Sequence, residues 1–228
     1  MELRLLGTSH IAAESIKEIT HIVETWKPDI IAVELDIERA ASLFTEEKRS
    51  VSLAVIMEVG VKGYLFAKIG QIIQQKLGQS VGISPGAEMK TALELAKKHT
   101  LQAELIDQPI KITLARFSKS LTWKEKYRFV EEIVLGLLFP KRQMKKLGFT
   151  QFDLRKVPSK ELIEKMMGHF QVRYPSVYKT LVEDRNKYMV RQLIRLMKEY
   201  PEKKILAVVG AGHEKGMREL LLKVDVVR

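Results

Sequence analysis

The chain has 228 residues, 46% of them apolar and 29% charged, and its 39 Lys and Arg against 28 Asp and Glu give a formal net charge of +11. The apolar fraction argues against a disordered chain, and the longest run without Asp, Glu, Lys or Arg, Leu77–Ala87, is polar and Gly-rich, far short of the roughly 20 apolar residues of a membrane-spanning helix. The absence of cysteine excludes disulfides, a thiolate nucleophile and a Cys-ligated metal, and the N-terminal MELRLLG reads as a strand rather than a leader, so a cytoplasmic location is expected.

In chain order, Leu3–Leu6 (LRLL) predicts the first strand. From Ile11 to Trp26, Ile16, Ile19, Ile22 and Val23 recur at helical spacing, and Pro28 ends the pattern. Ile30–Leu35 (IIAVEL) predicts a second strand. Residues 50–78 are apolar and punctuated by Gly60, Gly63 and Gly70, which predicts a packed hairpin or a dimer surface ahead of a membrane-contacting element. Pro85 and Gly86 open a helix to about Lys98, with Met89, Leu93 and Ala96 on one face. Leu101–Ile106 predicts a third strand and Ile205–Val209 the last. Between them, residues 111–200 read as a helical insertion divided at Pro140, Pro158 and Pro175. Short apolar runs alternating with helices predict an α/β fold, a central and largely parallel β-sheet flanked by helices, with the long insertion before the last main strand and one domain over residues 1–228.

The charge is regional. Residues 111–149 carry ten basic and three acidic side chains, a net +7 in 39 residues, interleaved with Trp123, Tyr127, Phe129, Phe139 and Phe149. A solvated basic face explains this most simply. An RNA or acidic-membrane surface is a third-ranked functional reading, without any signature for a specific nucleic acid.

Chemistry collects where the predicted strands end. Leu5-Leu6-Gly7-Thr8-Ser9-His10 and Val208-Val209-Gly210-Ala211-Gly212-His213 both read as strand, Gly-x-x-His, helix. The second strand ends with Glu34 and Asp36, the third with Asp107. Parallel sheets bind ligands at their carboxyl ends, so two histidines and two or three carboxylates would share one rim. Such a set suits a divalent transition metal, Mn, Co or Zn, better than Ca or Mg. A metal-free version, with His as general base and a carboxylate orienting it, works as well. Singly, His10 or His213 reads as a helix-end or core histidine, Glu34 as an ion-pair partner and Asp36 as an N-cap for the helix through Arg39. His21, His99 and His169 lack this context, and Ser9 sits in no G-x-S-x-G elbow. Arg185, on a helix before the last strand, is a candidate to bind a substrate carboxylate or an oxyanion, with a surface charge lattice as the alternative.

The chain resembles the TraB family of the TraB/PrgY/Tiki superfamily. The resemblance rests on Gly7-Thr8-Ser9-His10, on Pro28-Asp29 with Val33-Glu34-Leu35-Asp36 and Arg39, and on Pro85-Gly86-Ala87-Glu88-Met89. It continues through Asp107–Leu114, Asp184-Arg185-Asn186-Lys187-Tyr188 and Val209-Gly210-Ala211-Gly212-His213. It implies a site built from His10, Glu34, Arg185 and His213, and a link to Tiki-type divalent-metal-dependent proteases and to bacterial relatives associated with limiting peptide pheromone activity. On that basis His10, His213 and Glu34 are the expected metal ligands. Glu34, Arg185 and Asp107 are the expected catalytic set, with Asp107 orienting a histidine. Gly7, Ser9, Glu88, Gly210 and Gly212 are the expected substrate-binding positions. The expected function is a metal-dependent hydrolase of a peptide or amide-like substrate, with a peptide-sequestering protein as the alternative and a homo-oligomer as the expected assembly. Two departures stand out. Gln108 occupies a position where the family often has arginine, and many prokaryotic members carry membrane helices after this domain, whereas this chain ends fifteen residues past His213. Peripheral membrane or membrane-helix association is therefore expected of longer family members.

Overall fold

A computed structural model describes residues 2–8, 13–44, 86–138 and 160–225. The expected Ser9 and His10, the apolar stretch at 50–78, Pro140, Pro158 and the basic residues Lys141, Arg142, Lys145 and Lys146 lie outside the described residues.

The four predicted strands are present as β1 (Glu2–Thr8), β2 (Ile30–Val33), β3 (Gln102–Leu105) and β4 (Lys204–Gly210). All neighbouring pairs are parallel, in the order β1-β4-β2-β3. The apolar runs that predicted β2 and β4 are buried on both faces, which is what a parallel sheet covered by helices requires. β1 is an edge strand, and its outer half is partly exposed.

Side-chain alternation divides the core in two. Ile31, Val33, Leu206 and Val208 face α1 (Ala13–Trp26) and α3 (Ala87–Lys98), meeting Ile19, Val23, Met89 and Ala92. Ile30, Ala32, Ile205, Ala207 and Val209 face α8 (Asp184–Glu199) and α9 (Ala211–Asp225), meeting Met189, Leu193 and Met217. α2 (Ile37–Phe44) follows β2. Gly86, which opens α3 as predicted, has φ +83°, and a Cβ there would also meet Leu43 Cδ2 at 3.0 Å.

The insertion is helical as expected. It comprises α4 (Ile110–Ser120), α5 (Trp123–Leu138), α6 (Lys160–Arg173) and a short α7 (Pro175–Tyr178) that Pro175 begins. A π turn, Lys179–Glu183, then runs into α8. Thr122 and Glu125 form a capping box on α5, and Glu125 Oε1 also accepts the Ser176 N–H of α7 at 2.8 Å. One carboxylate thus caps two helices. Among the described residues, no helix is long and apolar enough to cross a membrane.

The sheet order has a functional consequence. The chain passes from β1 to β2 and leaves a gap that β4, the last strand, fills. The carboxyl ends of β1, β4 and β2 therefore form a switch point, where such sheets open a crevice.

Candidate functional site

Glu34 lies one residue past β2, and its place is set by β4. Its backbone N–H donates to the Val208 carbonyl at 3.0 Å, and its Oε2 accepts the Gly210 N–H at 2.6 Å. Asp107 follows β3, with its side chain fully buried, and its Oδ1 accepts the Gln108 N–H at 2.7 Å. His213 stands in the first turn of α9, directly after β4.

Arg185 joins the three. In the π turn before it, the Asp184 N–H reaches back five residues to the Lys179 carbonyl, an irregularity that recurs at functional sites. Arg185 Nε donates to Asp107 Oδ1 at 3.0 Å. Nη2 donates to Asp107 Oδ2 at 2.5 Å and to Glu34 Oε1. Nη1 donates to the Leu181 carbonyl at 3.3 Å and meets His213 Nε2 at 3.0 Å. A guanidinium has five N–H groups, and these contacts use all of them. Burial works against the charge of Arg185, but the carboxylates of Glu34 and Asp107 outweigh it and hold its pKa above the ordinary value. It is a permanent cation on the rim.

Nη1 can only donate, so His213 Nε2 must accept. Nδ1 then carries the proton and gives it to Asn186 Oδ1, 2.6 Å away. Asn186 is itself held closely: a Cβ on Gly216 would lie 2.4 Å from its Nδ2. The orienting role expected of Asp107 thus falls, for His213, to Asn186. Asp107 instead holds Arg185 from one side and Arg39 from the other. Asp36 does what its N-cap reading required: Oδ1 accepts the Arg39 N–H at 2.8 Å, and Oδ2 accepts the Ile110 N–H that opens α4, also at 2.8 Å.

The glycines of the rim have packing reasons. A Cβ on Gly7 would stand 2.4 Å from Glu214 Oε2 and 2.9 Å from its Cβ. Gly212 packs against Met167 Sδ, and Gly210 supplies the N–H for Glu34. Glu88 is buried in the first turn of α3. Gln108 is turned toward α4, where it donates to Thr113 Oγ1 at 2.8 Å and accepts from Arg116 at 3.1 Å.

The structure therefore gathers Glu34, Asp107, Arg185 and His213, while Ser9 and His10 lie outside the described residues. The sequence pattern assigns no chemical role to Asn186 or Arg39. Asn186 is the neighbour of Arg185 on a helix, and no spacing rule predicts that both reach one imidazole.

A metal is implied by the resemblance, and the donors can be tested for it. Ligand atoms on a tetrahedral ion with bonds of about 2.0–2.2 Å stand roughly 3.3–3.5 Å apart. His213 Nε2 and Glu34 Oε1 are 3.3 Å apart. That pair fits one edge of such a site, now bridged by a guanidinium. Among the described residues, no group of three or more His, Asp or Glu is arranged to hold an ion.

The TraB/PrgY/gumN family profile matches residues 2–224. This chain belongs to the TraB/PrgY/gumN family. Its relatives include "Uncharacterized protein MJ1365" of Methanocaldococcus jannaschii, 34% identical over 226 residues, covering 98% of this chain and 54% of that protein. The TraB domain-containing proteins of Mus musculus and Homo sapiens are each 25% identical over 240 residues, covering 94% of this chain and 61% of theirs. The TraB-family chain thus spans about half to three-fifths of the length of the curated relatives it matches.

Proposed function

We propose that the chain is a metal-dependent hydrolase acting on a peptide or amide-like substrate. The observation that carries this is the pair of buried acceptors, His213 Nε2 and Glu34 Oε1, held 3.3 Å apart. Two acceptors this close repel unless a cation serves both, a part that Arg185 plays here and that an ion would share. His213 and Glu34, with His10 as the third donor expected from the sequence, would hold a divalent Mn, Co or Zn. When bound, such an ion supplies polarisation of the scissile carbonyl and acidification of water.

The remaining work falls to the chain. Asn186 holds the His213 tautomer. Gly210 anchors Glu34 through Oε2, and Oε1, which now accepts from Arg185, would serve as ligand or take the proton of the attacking water. Asp107 keeps a two-point grip on Arg185. The guanidinium therefore stays on the rim while the N–H groups now facing Glu34 and His213 turn to negative charge developing on the substrate.

The test is metal analysis of protein purified without chelator, thermal melts with Mn, Co and Zn, and a mass-spectrometric peptide-library screen with His10→Ala and Glu34→Ala controls. Bound transition metal and cleavage lost in both variants are the expected results. Absence of metal, of a thermal shift and of cleavage would reject the reading.

One observation favours a second reading, a peptide-sequestering protein: Arg185 already satisfies both acceptors, so the cluster is electrostatically closed by the chain's own residues. Peptide binding with no turnover and no metal would select it.

A further inference from the structure

Among the described residues the basic segment supplies none of the four clustered side chains Glu34, Asp107, Arg185 and His213, yet it has a distinctive surface. On α5, Trp123 is 81% and Tyr127 74% exposed, four residues apart and hence on one face. In the same segment Arg116, Lys119 and Lys124 are exposed, Arg116 being held to Gln108 Oε1 at 3.1 Å, and Lys126 Nζ lies 4.2 Å from the centre of the Trp123 ring. Glu125, the acidic residue at this junction, is buried and turned inward to cap α5 and α7. Glu131, four residues past Tyr127 on the same face, is also exposed, so the surface around the two aromatic side chains is net positive but carries one carboxylate.

We propose that the α4–α5 junction docks the chain on an anionic lipid surface. Tryptophan and tyrosine are the side chains suited to the headgroup level of a bilayer, where an apolar ring and a polar tip are both accommodated, and lysines beside them reach the lipid phosphates. A nucleic acid fits less well. Base stacking uses the face of a ring, and one face of Trp123 is taken by Lys126.

The chain carries its own probe. It has two tryptophans, and the other, Trp26, is 9% exposed. The 228-residue chain is titrated with vesicles of phosphatidylcholine alone or with one third phosphatidylglycerol, following tryptophan emission and co-sedimentation. The expected result is a blue shift and co-sedimentation with the anionic vesicles only, both weakened by salt. Trp123→Ala abolishes the shift and leaves Trp26 emission as in the parent, which shows that the fold is intact. Lys124→Ala weakens binding about fivefold, the effect of one cation near a charged bilayer. No shift, or an equal shift with neutral vesicles, overturns the proposal. So does tighter binding of a single-stranded RNA oligomer, or a Trp123 shift that follows protein concentration without vesicles, which marks self-association instead.

Discussion

Asp107 holds Arg185 side-on, Oδ1 on Nε at 3.0 Å and Oδ2 on Nη2 at 2.5 Å, across a separation of 78 residues. Asp107 is fully buried and Arg185 is 14% exposed, so solvent screens the pair little. Arg39 reaches the same carboxylate. Removing this acid leaves Arg185 with Glu34 and Arg39 with Asp36. Asp107→Ala is expected to destabilise the chain by about 3 kcal/mol, the low end for breaking a buried ion pair, because Glu34 still compensates Arg185. Urea unfolding measures it. A loss under about 1 kcal/mol, typical of exposed pairs, would show that the cluster is solvated.

Asn186 should matter to the ion more than to the fold. Its Oδ1 fixes the proton on His213 Nδ1 and leaves Nε2 free of one. Asn186→Ala is expected to weaken Mn, Co or Zn binding about 10–100-fold, the usual effect of losing the group that orients a ligand histidine. Gly216→Ala, whose new methyl would press on Asn186 Nδ2, should weaken binding in the same direction. Calorimetric titration reads both, and unchanged affinities would remove Asn186 from the site.

Metal should stabilise the folded chain through His213. At a free metal concentration about 100 times Kd, binding to the native state adds about 2.7 kcal/mol. The melting temperature should rise with metal in the parent and stay constant in His213→Ala. An equal rise in the variant would place the ion elsewhere.

Glu125 predicts an acid-sensitive insertion. Burial raises its pKa, but hydrogen bonds from Thr122 and Ser176 outweigh it and hold the group below 4.5. A depressed carboxylate contributes stability that is fully present above its unfolded pKa, near 4.5, and is lost as pH falls through the lower folded value. The difference in urea midpoint between parent and Glu125→Gln should therefore be largest near neutral pH and shrink below pH 4.5. Thr122→Ala, which removes the cap itself, should cost about 1 kcal/mol.

Much of the fold was legible before any coordinates. Apolar runs at Ile30–Val33 and Ile205–Val209 suited strands covered on both faces, and the Gly-x-x-His after β4 pointed to His213. Local patterns report the period of an element and the residues at its ends. They do not say which strand lies beside which. The insertion of β4 between β1 and β2 is a pairing across the whole chain, and it alone brings the Gly210 N–H to Glu34, 176 positions away. It also decided that Arg185 sits among Glu34, Asp107 and His213 rather than on the surface. The sequence determined which groups were available for chemistry. Tertiary structure decided their partners, because a buried charge must find its counter-charge wherever the packing of distant elements places it.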